Sequence, residues 1–349
     1  MTVMASLMAT EIAEQPAALA ATSASLRARR DELRRVVRDA RRVVFFARGS
    51  SDSAATYGRY LVEIVAGLPS AMGAPSVATL YRARLDLRDT LVVLCSQSGR
   101  TEEITELGEW ARSCGAVTVA VTNEPGSPLT QVVDCALVTA AGTERAVPAT
   151  KSHTTCLLAL AELTVALTDD VVLAGTLDRV PDEAQRLLDA GAPLAAVAAE
   201  ALHDKPAFAV TGRGFTYPTA LELALKIEET SLVPALGLSQ ADLEHGPQAV
   251  LGAATPLVVA CAADGPTVPG LLAVAQRAAE RGSPVCSLGG PPQLQELSAH
   301  ALPGPQLPEP LAPVVAILPG QQLAERLARA RGMDPDAPPG LNKVTRTSG

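Results

Sequence analysis

Glu222, Lys226 and Glu229 stand at i, i+4 and i+7 within residues 219–231. If that stretch is helical, all three side chains leave one face. Leu221, Leu225 and Leu232 are then expected to fasten the helix to a core. His245 follows in the run Leu243, Glu244, His245, Gly246, Pro247. Two carboxylates, an amine and an imidazole near one another are the groups needed to open a sugar ring and move a proton between adjacent carbons. Glu222 ahead of Lys226 is also the spacing of an ordinary ion pair on a solvated helix face, and the helix alone leaves both readings open.

A second group of polar residues follows a strand-like run at 91–95: Ser96, Gln97, Ser98, Gly99, Arg100 and Thr101. A helix starting near Thr101, at the carboxyl end of a parallel strand, would aim free backbone N–H groups at an anion. Ser96, Ser98 and Thr101 add hydroxyl donors, and Gly99 lets the backbone approach closely. A phosphate fits this turn, although any one of the hydroxyls could instead cap the helix. The turn lacks the Gly-Lys-Ser/Thr ending of a nucleotide P-loop.

The elements that must position these groups alternate between strand-like runs and amphipathic helices. The runs are 43–47, 91–95, 117–121 and Cys135–Val138, then 207–211, Leu257–Cys261, 285–288 and 314–318. Such alternation, with Gly, Ser or Asn at strand ends, marks α/β domains of the doubly wound, flavodoxin-like kind, each a parallel sheet covered by helices. The two series match at a constant offset of 165 positions, Arg48-Gly49 with Arg213-Gly214 and Thr90 with Thr255. One fold is therefore expected twice. At the place of the serine-rich turn the second copy carries Ala262, Ala263, Asp264, Gly265 and Pro266, which predicts a single phosphate site per chain.

These signals divide the chain into an N-terminal helical segment (1–30), a phosphate-binding first domain (31–180), a second domain with the acidic helix and His245 (181–332), and a tail (333–349). One or two helices are expected over 11–42, the later one strongly charged, and a helix begun at Gln321 is expected to stop before the Pro-rich run 334–340. At 349 residues the chain has room for two such domains. The residues are 48% hydrophobic but only 3% aromatic, so the cores must be built of Ala, Val and Leu. Twenty-nine basic against 37 acidic residues give a net charge of −8, which argues against nucleic acid or an anionic membrane as partner. Six cysteines are scattered singly, without metal-ligand or disulfide spacing. With no signal-like N-terminus and no membrane-spanning apolar run, a cytoplasmic protein without metal or other cofactor is expected.

These residues resemble the sugar isomerase (SIS) family, specifically the paired SIS domains of the isomerase half of glucosamine-6-phosphate synthase and its stand-alone deaminase relatives. The resemblance runs through Glu11, Ile12, Gln15 and Pro16, then Arg48 to Ser51, Ser96 to Gly99, Ala141 to Glu144, Ala149 to Lys151, Gly212 to Gly214, Glu222 to Glu229 and Leu243 to Pro247. It implies that Gly49, Ser50, Ser51, Ser96, Gln97, Ser98 and Thr101 hold a sugar phosphate, with Ala149 lining the sugar site. It implies Glu229 as the base between C1 and C2, Lys226 and Glu222 orienting the open chain, and His245 opening the ring, often from a neighbouring subunit of a homodimer. The tail carries Lys343, which by resemblance closes over the substrate.

The departures bear on the reaction. The chain starts Met1, Thr2, Val3 rather than with the cysteine of a glutaminase domain, so no glutamine-derived ammonia is expected. Arg100 and the pair Pro148-Ala149 differ from the synthases. The expected reaction is conversion of glucosamine 6-phosphate to fructose 6-phosphate and ammonia. A dehydratase or lyase acting on N-acetylglucosamine 6-phosphate by elimination at C2–C3 could use the same base, and a sugar-phosphate sensor is the reading from outside enzymology.

Overall fold

The computed structural model describes residues 5–343. Its strands are β1 (Arg42–Phe46), β2 (Ser70–Met72), β3 (Thr90–Cys95), β4 (Val117–Thr122), β5 (Cys135–Val138), β6 (Phe208–Gly212), β7 (Ala235–Ser239), β8 (Leu257–Cys261), β9 (Val285–Gly289) and β10 (His300–Leu302). They form two five-stranded sheets, ordered β2-β1-β3-β4-β5 and β7-β6-β8-β9-β10, with every pairing parallel. Strands β3, β6, β8 and β9 are buried along their whole length. Only sheets covered on both faces bury strands in this way, which explains their unbroken Val, Leu and Ala runs.

One compact unit comprises residues 17–144 and 151–178 with Asn342 and Lys343; the other comprises 5–16, 145–150 and 179–341. In each, alternate strand residues feed opposite faces. In the unit of the first sheet, Phe46, Val92, Leu94 and Ala120 meet Ile104, Leu107 and Ala111 of the helix Glu102–Ser113. On the opposite side Phe45 lies against the helix Ser50–Ile64, which packs on the helix Lys151–Thr168. In the unit of the second sheet, Phe208, Val210, Val258 and Leu288 join the helices Val180–Leu202, Tyr217–Ser231 and Leu318–Ala330. There Ala209, Leu257, Val259 and Cys261 face the helix Val268–Glu280.

Three expectations change. Residues 314–318 are helical, split between Pro313–Ala316 and the start of Leu318–Ala330. A short apolar run does not distinguish a buried strand from a buried helix, and Pro313 and Pro319 fix φ for the first helical turns. The fifth strand is β10, where the offset of 165 carries Cys135 to His300, as it carries Ser70 of β2 to Ala235 of β7. The small-residue stretch between Pro234 and Asp242, which the sequence suggests is a loop carrying His245 at its end, is instead β7 followed by the helix Gln240–Glu244. The N-terminal region forms three helices, Leu7–Ala13, Gln15–Arg27 and Arg30–Val37. Among the described residues no helix is long and apolar enough to cross a membrane.

Candidate active site

Strand order 2-1-3-4-5 sends the connections after its first and third strands to opposite faces, opening a crevice between their carboxyl ends. β1 and β3 are these strands in the first sheet. β1 leads through Arg48 to Gly49, the N-cap of Ser50–Ile64, where φ is 56°; Ser50 and Ser51 begin the helix and are half-buried. β3 leads through Ser96 to Thr101, the N-cap of Glu102–Ser113. Gly99 turns the chain with φ 57°, and a Cβ there would lie 2.2 Å from Ser127 Oγ, so any side chain at this position strains the turn and displaces a neighbour.

The hydroxyls of this turn do not cap the helix. Ser96 Oγ accepts the Gly99 N–H at 3.2 Å and Ser98 Oγ accepts the Arg100 N–H at 3.2 Å, while Thr101 makes no side-chain capping bond. Ser96 and Ser98 are buried, and Gln97 and Thr101 are half-buried. The turn thus gathers hydroxyls and a helix N-terminus at the crevice, the chemistry of phosphate recognition. A forked ion pair joins the two connections: Arg48 Nε donates to Glu103 Oε2 at 3.0 Å and Arg48 Nη2 to Glu103 Oε1 at 2.9 Å.

Lys343 lies in the same unit. Its ammonium donates to Glu144 Oε2 at 2.6 Å, and the same carboxylate accepts the Ser152 hydroxyl at 2.6 Å and the Ser152 N–H at 3.0 Å. The Glu144 side chain is fully buried. Burial pushes its pKa up, but the Lys343 charge and the hydrogen bonds from Lys343 and Ser152 outweigh that, and the carboxyl lies below its ordinary value. Sequence reasoning quoted Glu144 without assigning it a role. The acid carried no spacing signal, because its charged partner Lys343 is distant in the chain.

In the other unit, β6 occupies the place of β1, and the helix Tyr217–Ser231 starts beyond its carboxyl end with Pro218 in the first turn. Ala220, Leu223, Ala224 and Ile227 are the residues that enter the core. Burial of Leu223 and of Ile227 contributes about 1.5–3 kcal/mol each. The expected anchors are displaced: Leu221 and Leu225 are half-buried, and Leu232 is 46% exposed at the left-handed C-cap. Helical period sets the difference, since a buried face that includes Glu222 and Lys226 cannot also centre on Leu221 and Leu225. Gly237 of β7 lets the helix come close, as a Cβ there would lie 3.0 Å from Ala224 Cβ.

That face buries charge. Lys226 and Glu222 have no exposed side-chain surface, and Lys226 Nζ stands 3.5 Å from Glu222 Oε1 while also donating to Glu229 Oε2. Glu229 keeps 23% of its side-chain surface exposed. The solvated-face reading is therefore excluded: the three residues form a line of charge running from a sealed carboxylate, through a sealed ammonium, to a carboxylate that opens outward. His245 is exposed, at the end of the helix Gln240–Glu244, its N–H bonded to the Ala241 and Asp242 carbonyls.

Ala149, half-buried, belongs to the strap 145–150 of this unit. Buried Glu11 accepts the N–H groups of Arg145 and Ala146, and Gln321, bonded to Gln15, donates to the Thr150 carbonyl. These three buried polar residues were not identified from sequence as supports, since no local pattern links positions so far apart.

The profile of the SIS domain matches residues 37–166. A solved structure from Silicibacter pomeroyi DSS-3, assigned as a phosphosugar isomerase, is 31% identical with a TM-score of 0.85, covering 95% of this chain and 100% of that one. The chain belongs to the SIS family. The C-terminal domain of glucosamine-fructose-6-phosphate aminotransferase from Francisella tularensis is 26% identical with a TM-score of 0.86, over 96% of this chain and 99% of that one. The isomerising glutamine–fructose-6-phosphate aminotransferase of Pyrococcus horikoshii is 36% identical over 308 residues, 86% of this chain and 51% of the relative. The chain thus spans about half the length of the curated relatives it matches. Its two parallel sheets are the tandem SIS architecture, and the family is one of sugar-phosphate isomerases.

Proposed function

We propose that this chain is an isomerising deaminase that converts glucosamine 6-phosphate to fructose 6-phosphate and ammonia. The observation that carries the reading is the buried line Glu222–Lys226–Glu229, in which only Glu229 opens outward. A buried ammonium between two carboxylates costs folding free energy, and such an arrangement at the end of a switch-point helix serves chemistry better than stability. The aminotransferase names of two relatives point to the glucosamine and fructose 6-phosphate pair.

In this mechanism the turn Ser96–Thr101, with Gly49, Ser50 and Ser51, holds the phosphate, and His245 transfers the protons that open the pyranose. Glu229 takes the C2 proton, leaving an enolamine across C1 and C2, and the proton returns to C1 to give a C2 imine. Water adds to the imine, and ammonia leaves with the C2 ketone of fructose 6-phosphate. Lys226 balances the charge on Glu229, and Glu222 holds Lys226 from behind. Lys343, bound to Glu144, is held within the phosphate-binding unit, and Ala149 borders the sugar. On this reading the working form is a cytoplasmic homodimer, in which the exposed His245 is available to a neighbouring copy of the chain.

Glu229→Gln keeps the shape but cannot accept the proton. Turnover of glucosamine 6-phosphate is expected to fall about 10²-fold or more, with sugar-phosphate affinity retained. Unchanged turnover removes Glu229 from the mechanism.

A further inference from the structure

The connections after β1 and β3 end in different helices and share no backbone hydrogen bond among those of the described turns. Their spacing nonetheless sets the width of the crevice in which an anion would sit. The Arg48–Glu103 fork spans them, one partner immediately before the N-cap Gly49, the other in the first turn after the N-cap Thr101. A two-point fork fixes distance and angle together, which a lysine ammonium could not do.

The fork also answers an electrostatic problem. Glu102 and Glu103 both lie in the first turn of the helix whose N-terminus faces the crevice. Glu102 is exposed and screened by water, but the Glu103 side chain is only 15% exposed, so an unbalanced charge there would oppose a phosphate. Arg48, with 53% of its side chain exposed, supplies the compensating charge from the other loop.

We propose that Arg48 and Glu103 are positioning residues that act as a clasp, holding the two phosphate-binding loops at the separation a phosphomonoester requires. This rests on the sugar-phosphate reading of the crevice. The clasp touches no reacting atom, so its loss is expected in KM and ligand affinity rather than in kcat. With 53% of the Arg48 side chain in water, the pair is worth about 1 kcal/mol or less in global stability, and the melting temperature should hardly move.

The test is calorimetric titration of the full chain and its variants with fructose 6-phosphate and inorganic phosphate, alongside kcat and KM. A clasp predicts that Arg48→Ala and Glu103→Gln each weaken binding by about five- to tenfold. It also predicts that the double variant is no weaker than either single one, because either change opens the same clasp. Kcat is expected to stay within about twofold. If charge alone mattered, Arg48→Ala would weaken binding, Glu103→Gln would tighten it and the double variant would return to the native value; that pattern overturns the clasp. Native affinity in all three variants overturns it as well. A native chain that binds neither ligand removes the phosphate reading itself, and the clasp with it.

Discussion

At the scale of single residues, the chain places its costly groups where they cannot be neutral decoration. Glu144 is the clearest case in the unit of the first sheet: a sealed carboxylate that accepts from the Ser152 N–H, the Ser152 hydroxyl and the Lys343 ammonium. Its carboxyl lies below the ordinary value because the Lys343 charge and the hydrogen bonds overcome the opposing effect of burial. A group whose pKa is depressed on folding contributes stability that is fully present above the unfolded value and is lost as pH falls through the folded one. Glu144→Gln keeps the size but loses the charge, and is expected to cost about 2 kcal/mol near neutral pH. The gap between native and variant melting should narrow as pH falls below about 4.5, the ordinary carboxyl value. A gap that does not change with pH would mean that the carboxylate charge does not hold Lys343.

At the scale of elements, the serine-rich turn depends on backbone shape as much as on hydroxyls. Gly99→Ala must place a Cβ 2.2 Å from Ser127 Oγ at a φ of 57°, so the turn is expected to deform. Phosphate affinity should fall at least tenfold, while far-ultraviolet circular dichroism keeps the α/β signature, because the change is local, at about 1–3 kcal/mol. Undiminished affinity in a folded Gly99→Ala chain would detach the turn from the ligand. This turn was legible in the sequence because its residues are contiguous and its glycine has no other use. Long, fully buried strands such as β3 and β8 were equally plain. The three-residue strands β2 and β10 were not, since so few residues carry no period. Residues 314–318 passed for a strand because composition says that a run is buried, not which backbone it takes. The supporting contacts of the site, those of Glu11, Gln15, Gln321 and Glu144 and the Arg48–Glu103 fork, were not legible for a different reason: each joins positions that only the fold brings together.

At the scale of the whole molecule, one fold is written twice with different residues at the corresponding places. The first copy keeps hydroxyls at its switch point, and the second has Asp264 there but places a buried ion line on the helix after β6. If His245 serves a neighbouring copy of the chain, Glu229→Gln and His245→Ala chains are each inactive alone, yet a mixed dimer holds one complete site. Subunit exchange between them is expected to restore up to about a quarter of native activity, one good site in half of the dimers. No recovery from two folded, exchanging variants would confine His245 to its own chain. The central claim, that this ion line moves a proton in an amino sugar whose amine then leaves, is tested most directly by offering the native chain glucosamine 6-phosphate and N-acetylglucosamine 6-phosphate separately. Products are then followed by mass and by ammonia assay. Ammonia and fructose 6-phosphate should appear in equal amounts from the first, with no change in the second; loss of water from the acetylated sugar, or no turnover of glucosamine 6-phosphate, would contradict it.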